Sequence, residues 1–158
     1  MANTGIVKYG QVRGIVVSKE YGIAASETFK DLSGCFVQVN SSGYVAVSGT
    51  DTATDIMGWA YSGAFTSSST AGQSRVTVNL AKDATYLMPL QAAYTESQLI
   101  GYLGKFMDIA VSSNIQYANP GGTSVNIIRA VGYRYWGSAA GQQALEVQLV
   151  GKTVTTQA

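Results

Sequence analysis

The sequence predicts an all-β fold, a compact β-barrel or β-sandwich with one short helix at about 96–103 and an extended N-terminal arm. Three observations carry this expectation. Short runs of alternating apolar and polar residues recur at near-regular spacing. Clusters of Gly, Asn, Ser and Pro separate them. One segment alone, opening at Thr95, combines helical spacing with a cap. At 158 residues the chain can bury a core of its own, roughly two-thirds of its unfolded surface, without disulfide or metal staples.

Residues 1–32 are weakly patterned but carry Lys8, Arg13, Lys19 and Lys30. They read as an arm with one short strand at Ile15-Val16-Val17. Such an arm either packs on a neighbouring chain or supplies the first strand of the barrel. Residues 33–151 form the β domain, and 152–158 a flexible tail with little apolar content to order it.

Within the domain, Cys35, Val37 and Val39 alternate with Phe36 and Gln38. Asn40-Ser41-Ser42-Gly43 then turns the chain, and Val45 and Val47 return it as a hairpin. Asn40-Ser41-Ser42 also fits the glycosylation pattern, but it reads here as a turn. Cys35 reads as a small core residue. Asp55 to Tyr61 gives a third strand. The stretch from Ser62 to Gln73 is small and polar, so it reads as an exposed loop or a segment that a partner orders. Phe65 stands out within it, either pinned to its own core or a contact residue. Arg75 to Leu80 alternates without a fault. Thr85 to Leu90 follows, and Pro89 suits a strand end. Thr95 and Gln98 form a capping box before Leu99, Ile100 and Leu103, and Gly101 or Gly104 ends the helix. Phe106–Val111, Val125–Tyr135 and Ala144–Val150 complete the strands. Turns fall at Asn119-Pro120-Gly121-Gly122 and at Gly137-Ser138-Ala139-Ala140-Gly141.

Composition limits function. The chain has no histidine, one cysteine and nine carboxylates, so the groups that titrate near neutral pH are sparse. Ser-His-Asp and Cys-His catalysis lack their base. Asp51 and Asp55 sit in a turn-like Thr/Ala stretch and read as turn formers. Asp108 lies inside an apolar strand and reads as a buried structural carboxylate, with Lys105 or an arginine as partner. A small enzyme built on Asp51, Asp55 or Asp108 stands as a third alternative. No metal-ligand spacing is present. Gly101-Tyr102-Leu103-Gly104-Lys105 departs from a phosphate loop in spacing and in Phe106, which stands where a hydroxyl is needed. The chain is therefore expected to be no enzyme and to use no cofactor.

Net charge is +1 and charged residues make up 12% of the chain, about half the usual share. This argues against nucleic acid, which needs a basic run to follow phosphates. The low charge suggests that part of the surface is covered by partners, or that Ser, Thr, Asn and Gln do the solvating. The first residues lack the order of a signal peptide, and no apolar run approaches the roughly 20 residues that span a bilayer. No membrane role is expected.

Tyr133, Tyr135 and Trp136 cluster beside Arg134. Tyr133 and Tyr135 share one strand face; Arg134 and, if the strand continues, Trp136 share the other. This is a candidate exposed aromatic surface for a carbohydrate or a protein partner, with aromatic packing at a sheet edge as the plainer reading.

The segment Gly34-Cys35-Phe36-Val37-Gln38-Val39-Asn40-Ser41-Ser42-Gly43-Tyr44-Val45, followed by Ile56-Met57-Gly58-Trp59-Ala60, resembles small tailed-phage capsid decoration (cement) proteins. Tyr86-Leu87-Met88-Pro89 and Leu103-Gly104-Lys105-Phe106-Met107-Asp108-Ile109 are similar to later parts of the same class. The resemblance covers roughly residues 34 to 150, with short apolar motifs. It implies a β-rich, commonly trimeric, non-enzymatic protein on the exterior of a virion. There it would sit at local symmetry axes and clamp neighbouring major capsid protein subunits. Contacts are then expected from Val7, Tyr9, Ile15 and Val17 of the arm and from Phe65. A carbohydrate-binding or host-adhesion module of a virion, using Tyr133, Tyr135 and Trp136, is the alternative.

Overall fold

Alternation along the strands decides which surfaces are dry, and here it builds two cores. The computed structural model describes residues 10–29, 34–48, 56–81, 83–113, 115–123 and 125–150. In chain order the strands are β1 (Gly10–Arg13), β2 (Ser18–Gly22), β3 (Thr28–Phe29), β4 (Cys35–Val39), β5 (Val45–Val47), β6 (Ile56–Tyr61) and β7 (Phe65–Thr66). They continue with β8 (Arg75–Asn79) and β9 (Thr85–Pro89), the helix α1 (Glu96–Gly101), then β10 (Phe106–Ser112), β11 (Ile115–Asn119), β12 (Ile128–Tyr135) and β13 (Gln143–Leu149). A six-stranded sheet has the order β1-β9-β13-β12-β10-β11, and a five-stranded sheet the order β2-β8-β6-β4-β5. β3 and β7 pair as a small third layer. The pairings within these sheets are antiparallel. The sheets stay open, so the fold is a β-sandwich rather than a barrel.

The first core fills the space between the two large sheets. Phe36, Ile56 and Trp59 meet Tyr86, Met88, Met107, Ile109, Leu145 and Val147 there, and Leu99 of α1 closes one end. Phe36, Trp59 and Tyr86 form an aromatic trio with centroids 4.9–5.1 Å apart, a spacing that adds to their area burial. The second core lies on the far side of the five-stranded sheet. Cys35, Val37, Val45, Ala60, Val76 and Val78 pack there against Ile23 and Phe29. β4 therefore buries both of its faces, and Cys35 is a core residue as expected.

Several elements depart from expectation. Ile15-Val16-Val17 is not a strand. The residues flanking it are, with β1 pairing to β9 and β2 to β8. The stretch from Gly10 to Gly22 thus adds an edge strand to each large sheet of its own chain. β11 was not anticipated and pairs with β10. The Ser62–Gln73 stretch is ordered by its own chain: Ser67 Oγ accepts from the Glu27 amide at 2.8 Å and donates to the Ala24 carbonyl at 2.6 Å. Its hydroxyls close backbone groups that apolar burial would not. The α1 capping box forms as expected between Thr95 and Gln98, but Ile100 and Leu103 point to solvent and Leu99 alone is buried.

Asp108 is fully buried, and among the described residues the contacts seen at its carboxylate are backbone amides, not Lys105 or an arginine. Oδ1 accepts from the Val125 and Asn126 amides at 2.9 and 2.7 Å and holds the turn before β12. Gln116 of β11 is buried too and bridges the sheets. Its Oε1 accepts from the Phe36 amide at 2.8 Å, and its Nε2 donates to the Phe36 and Ser48 carbonyls at 2.9 and 3.0 Å. The side-chain amide thus takes the place of a peptide unit between two sheet edges. Asp51, Asp55, Val7 and Tyr9 lie outside the described residues.

Candidate interaction surface

The connector between β1 and β2 crosses from the edge of one large sheet to the edge of the other. Its backbone is fixed first. Gly14 has φ +106°, and a Cβ there would fall 2.5 Å from Ala84 Cα, so only glycine fits. Next, Asn79 of β8, fully buried, works as a hub. Its Oδ1 accepts from the Val17 and Ala81 amides, both at 3.0 Å. Its Nδ2 donates to Gln11 Oε1 at 3.1 Å and approaches the Ile15 carbonyl and the Tyr86 hydroxyl at 3.4 Å. The Leu80 amide donates to the Val17 carbonyl at 2.7 Å. Gln11 Oε1 also takes the Tyr61 hydroxyl. Burial pushes the Tyr86 phenol well above the usual tyrosine value, with neighbouring Tyr61 adding to the effect and the Asn79 contact opposing it.

With the backbone tied down, the side chains face out. Ile15, Val16 and Val17 are 61, 56 and 53% exposed, and Val12 joins them. Three consecutive β-branched residues held outward on a rigid turn form a preorganised apolar surface. Of the residues expected to make contacts, Ile15 and Val17 therefore stand together on this surface. Phe65 stands apart on β7, stacked on Phe29 with centroids 5.0 Å apart, yet it keeps an exposed edge.

A second set of apolar side chains is exposed elsewhere. Ile100, Leu103 and Phe106 are all exposed around the end of α1 and the start of β10. The sequence places Ile100 and Leu103 on the apolar helix face with Leu99, but α1 ends at Gly101 and buries Leu99 alone.

The aromatic cluster divides. Tyr133 and Tyr135 are half-buried and pack against the first core. The Tyr133 hydroxyl donates to Glu96 Oε1 at 3.1 Å, and that bond raises its pKa. Trp136 stays exposed on the other side. Among the described residues no group of three or more Cys, Asp or Glu could hold a metal ion. Among the described residues no helix is long and apolar enough to cross a membrane.

Fold and surface together define a two-sheet β-sandwich that presents rigid apolar side chains. In comparisons with known proteins, the chain matches no family profile, no curated protein and no solved structure.

Proposed function

We propose that this chain is a capsid decoration protein that binds the outside of an assembled icosahedral shell and clamps neighbouring major capsid subunits. The observation that carries the reading is the Ile15–Val17 surface, apolar, outward and rigidly backed by Asn79. Covering the exposed part of each side chain is worth about 1 kcal/mol, so one copy gains about 3 kcal/mol from this turn alone. That is weak for a monomer and sufficient when copies act together on a symmetric shell.

A homotrimer suits the same reading. The Ile100–Leu103–Phe106 cluster sits at β10, four strands from β1 in the six-stranded sheet, roughly 19 Å at the usual strand spacing. Unlike patches at separate places on one sheet favour head-to-tail contacts, which close into rings. In this reading Phe65, Val7 and Tyr9 extend the contact area, and no nucleic acid, membrane or cofactor takes part. Binding that occurs only on expanded shells would also bias the shell toward that state.

The test is co-sedimentation of the purified chain with expanded capsids, comparing the native protein with an Ile15→Asp/Val17→Asp variant. The native chain is expected to saturate the shells and the variant to stay in the supernatant while folding normally. Equal binding by the two would sink the assignment of this surface.

A further inference from the structure

We propose that the outer face of the six-stranded sheet carries a binding site for an acidic sugar, built from Arg13, Arg134, Glu146 and Trp136. The site is independent of the capsid reading.

Leu145 and Val147 of β13 point into the first core, so Glu146 between them lies on the opposite face. Its carboxylate is buried and accepts two guanidinium contacts. Arg13 Nη2 reaches Oε2 at 3.0 Å, and Arg134 Nε reaches Oε1 at 3.0 Å. One carboxylate from the centre of the sheet thus holds two arginines, one from edge strand β1 and one from β12. Among the described residues neither guanidinium has a second hydrogen-bond partner. Both side chains remain about half exposed or more, at 63 and 48%. The cluster therefore keeps one net positive charge and several outward N–H donors in fixed positions.

The strand geometry makes room for this arrangement. Gly132 lies opposite Glu146 in the ladder, and a Cβ at 132 would overlap Glu146 Oε2. A glycine inside a strand marks such a close approach. Beyond β12 the pairing continues, because the Trp136 amide donates to the Gln142 carbonyl at 2.9 Å. Trp136 therefore follows Arg134 on the same face, and the residue is 49% exposed. A fork of outward guanidinium donors matches a planar acid group. An exposed indole beside it offers an apolar plane to the C–H face of a sugar ring. A carboxylated sugar meets both demands at once, which neither a bare anion nor a neutral sugar does.

The experiment follows the Trp136 indole N–H signal by NMR in the full chain. The titrants are 3′-sialyllactose, neutral lactose and sodium sulfate. A saturable shift with sialyllactose is expected, with lactose at least about tenfold weaker, the loss expected when a charged hydrogen bond is missing. Trp136→Ala, followed through the Arg134 Nε–H signal, and Arg134→Gln, followed through the indole, should each abolish saturation while melting as the native protein does. If Arg134→Gln fails to fold, Arg13→Gln serves as the second charge variant. Equal affinity for lactose would overturn the acid recognition. Sulfate binding that matches sialyllactose and survives Trp136→Ala would reduce the site to a bare anion contact and overturn the sugar assignment. The absence of any saturable shift would leave the cluster as a strut for β1 and refute the proposal.

Discussion

Replacing Asn79 with alanine tests whether the Ile15–Val17 surface is rigid because its backbone is tied from behind. The substitution removes the acceptor of the Val17 and Ala81 amides and the donor to Gln11. The Ala81 amide is buried; losing its partner costs about 1–3 kcal/mol. The Val17 amide is partly buried and its loss falls at the lower end, near 1 kcal/mol. Gln11 keeps the Tyr61 hydroxyl, so its share is small. The sum is about 3 kcal/mol of global stability, read as a shift in the urea midpoint with the slope unchanged. Amide hydrogen exchange gives the local reading. Val17 should exchange faster in Asn79→Ala by more than the global loss explains, because the turn opens on its own. The reasoning is refuted if the variant unfolds within about 0.5 kcal/mol of the native protein and Val17 keeps its protection.

Three further outcomes are expected. Gln116→Ala leaves the Phe36 amide and the Ser48 carbonyl buried without that partner and should destabilise the protein by about 2–5 kcal/mol in urea denaturation. Gly14→Ala forces a Cβ into Ala84 at a φ that L residues rarely adopt; a loss above about 2 kcal/mol is expected in thermal melts. Tyr86 is raised by burial, so its folded form stays protonated while the unfolded phenol ionises near pH 10. Its contribution to stability is full below that pH and is lost as pH climbs toward the folded value. Spectroscopic titration at alkaline pH should therefore show one tyrosine ionising only together with unfolding, and Tyr86→Phe should remove that component.

The strands with clean alternation were legible in the sequence, and so was the helix cap at Thr95. What was hidden depended on partners distant in the chain. Ile15-Val16-Val17 has the strongest local β character of its region, yet it is a connector. Ser18-Lys19-Glu20-Tyr21-Gly22 has little such character, yet it is a strand, because β8 supplies the ladder. Gln116 carries no local sign of burial, yet it is buried because its amide meets a backbone 80 positions away. A Ser-rich stretch looks the same whether water or its own chain satisfies the hydroxyls, and so Ser67 gave no signal. On the candidate surface, Ile15 and Val17 could be named from their apolar character alone. Their rigidity could not, because it comes from Asn79, and the second patch emerged only once α1 proved too short.

The order β1-β9-β13 has a mechanical consequence. Both outer strands run antiparallel to β9, so β1 and β13 run parallel to each other with β9 between them. Gly10 lies beside Leu87 while Val147 lies beside Tyr86 and leads on past the other end of β9. Tension applied at Gly10 and at Leu149 therefore pulls along the strands. It loads the hydrogen bonds of both ladders together in shear instead of peeling them one at a time. The Arg13–Glu146 ion pair crosses the same three strands and shares that load. A chain anchored at one end and strained at the other would resist extension through β9 and both of its ladders.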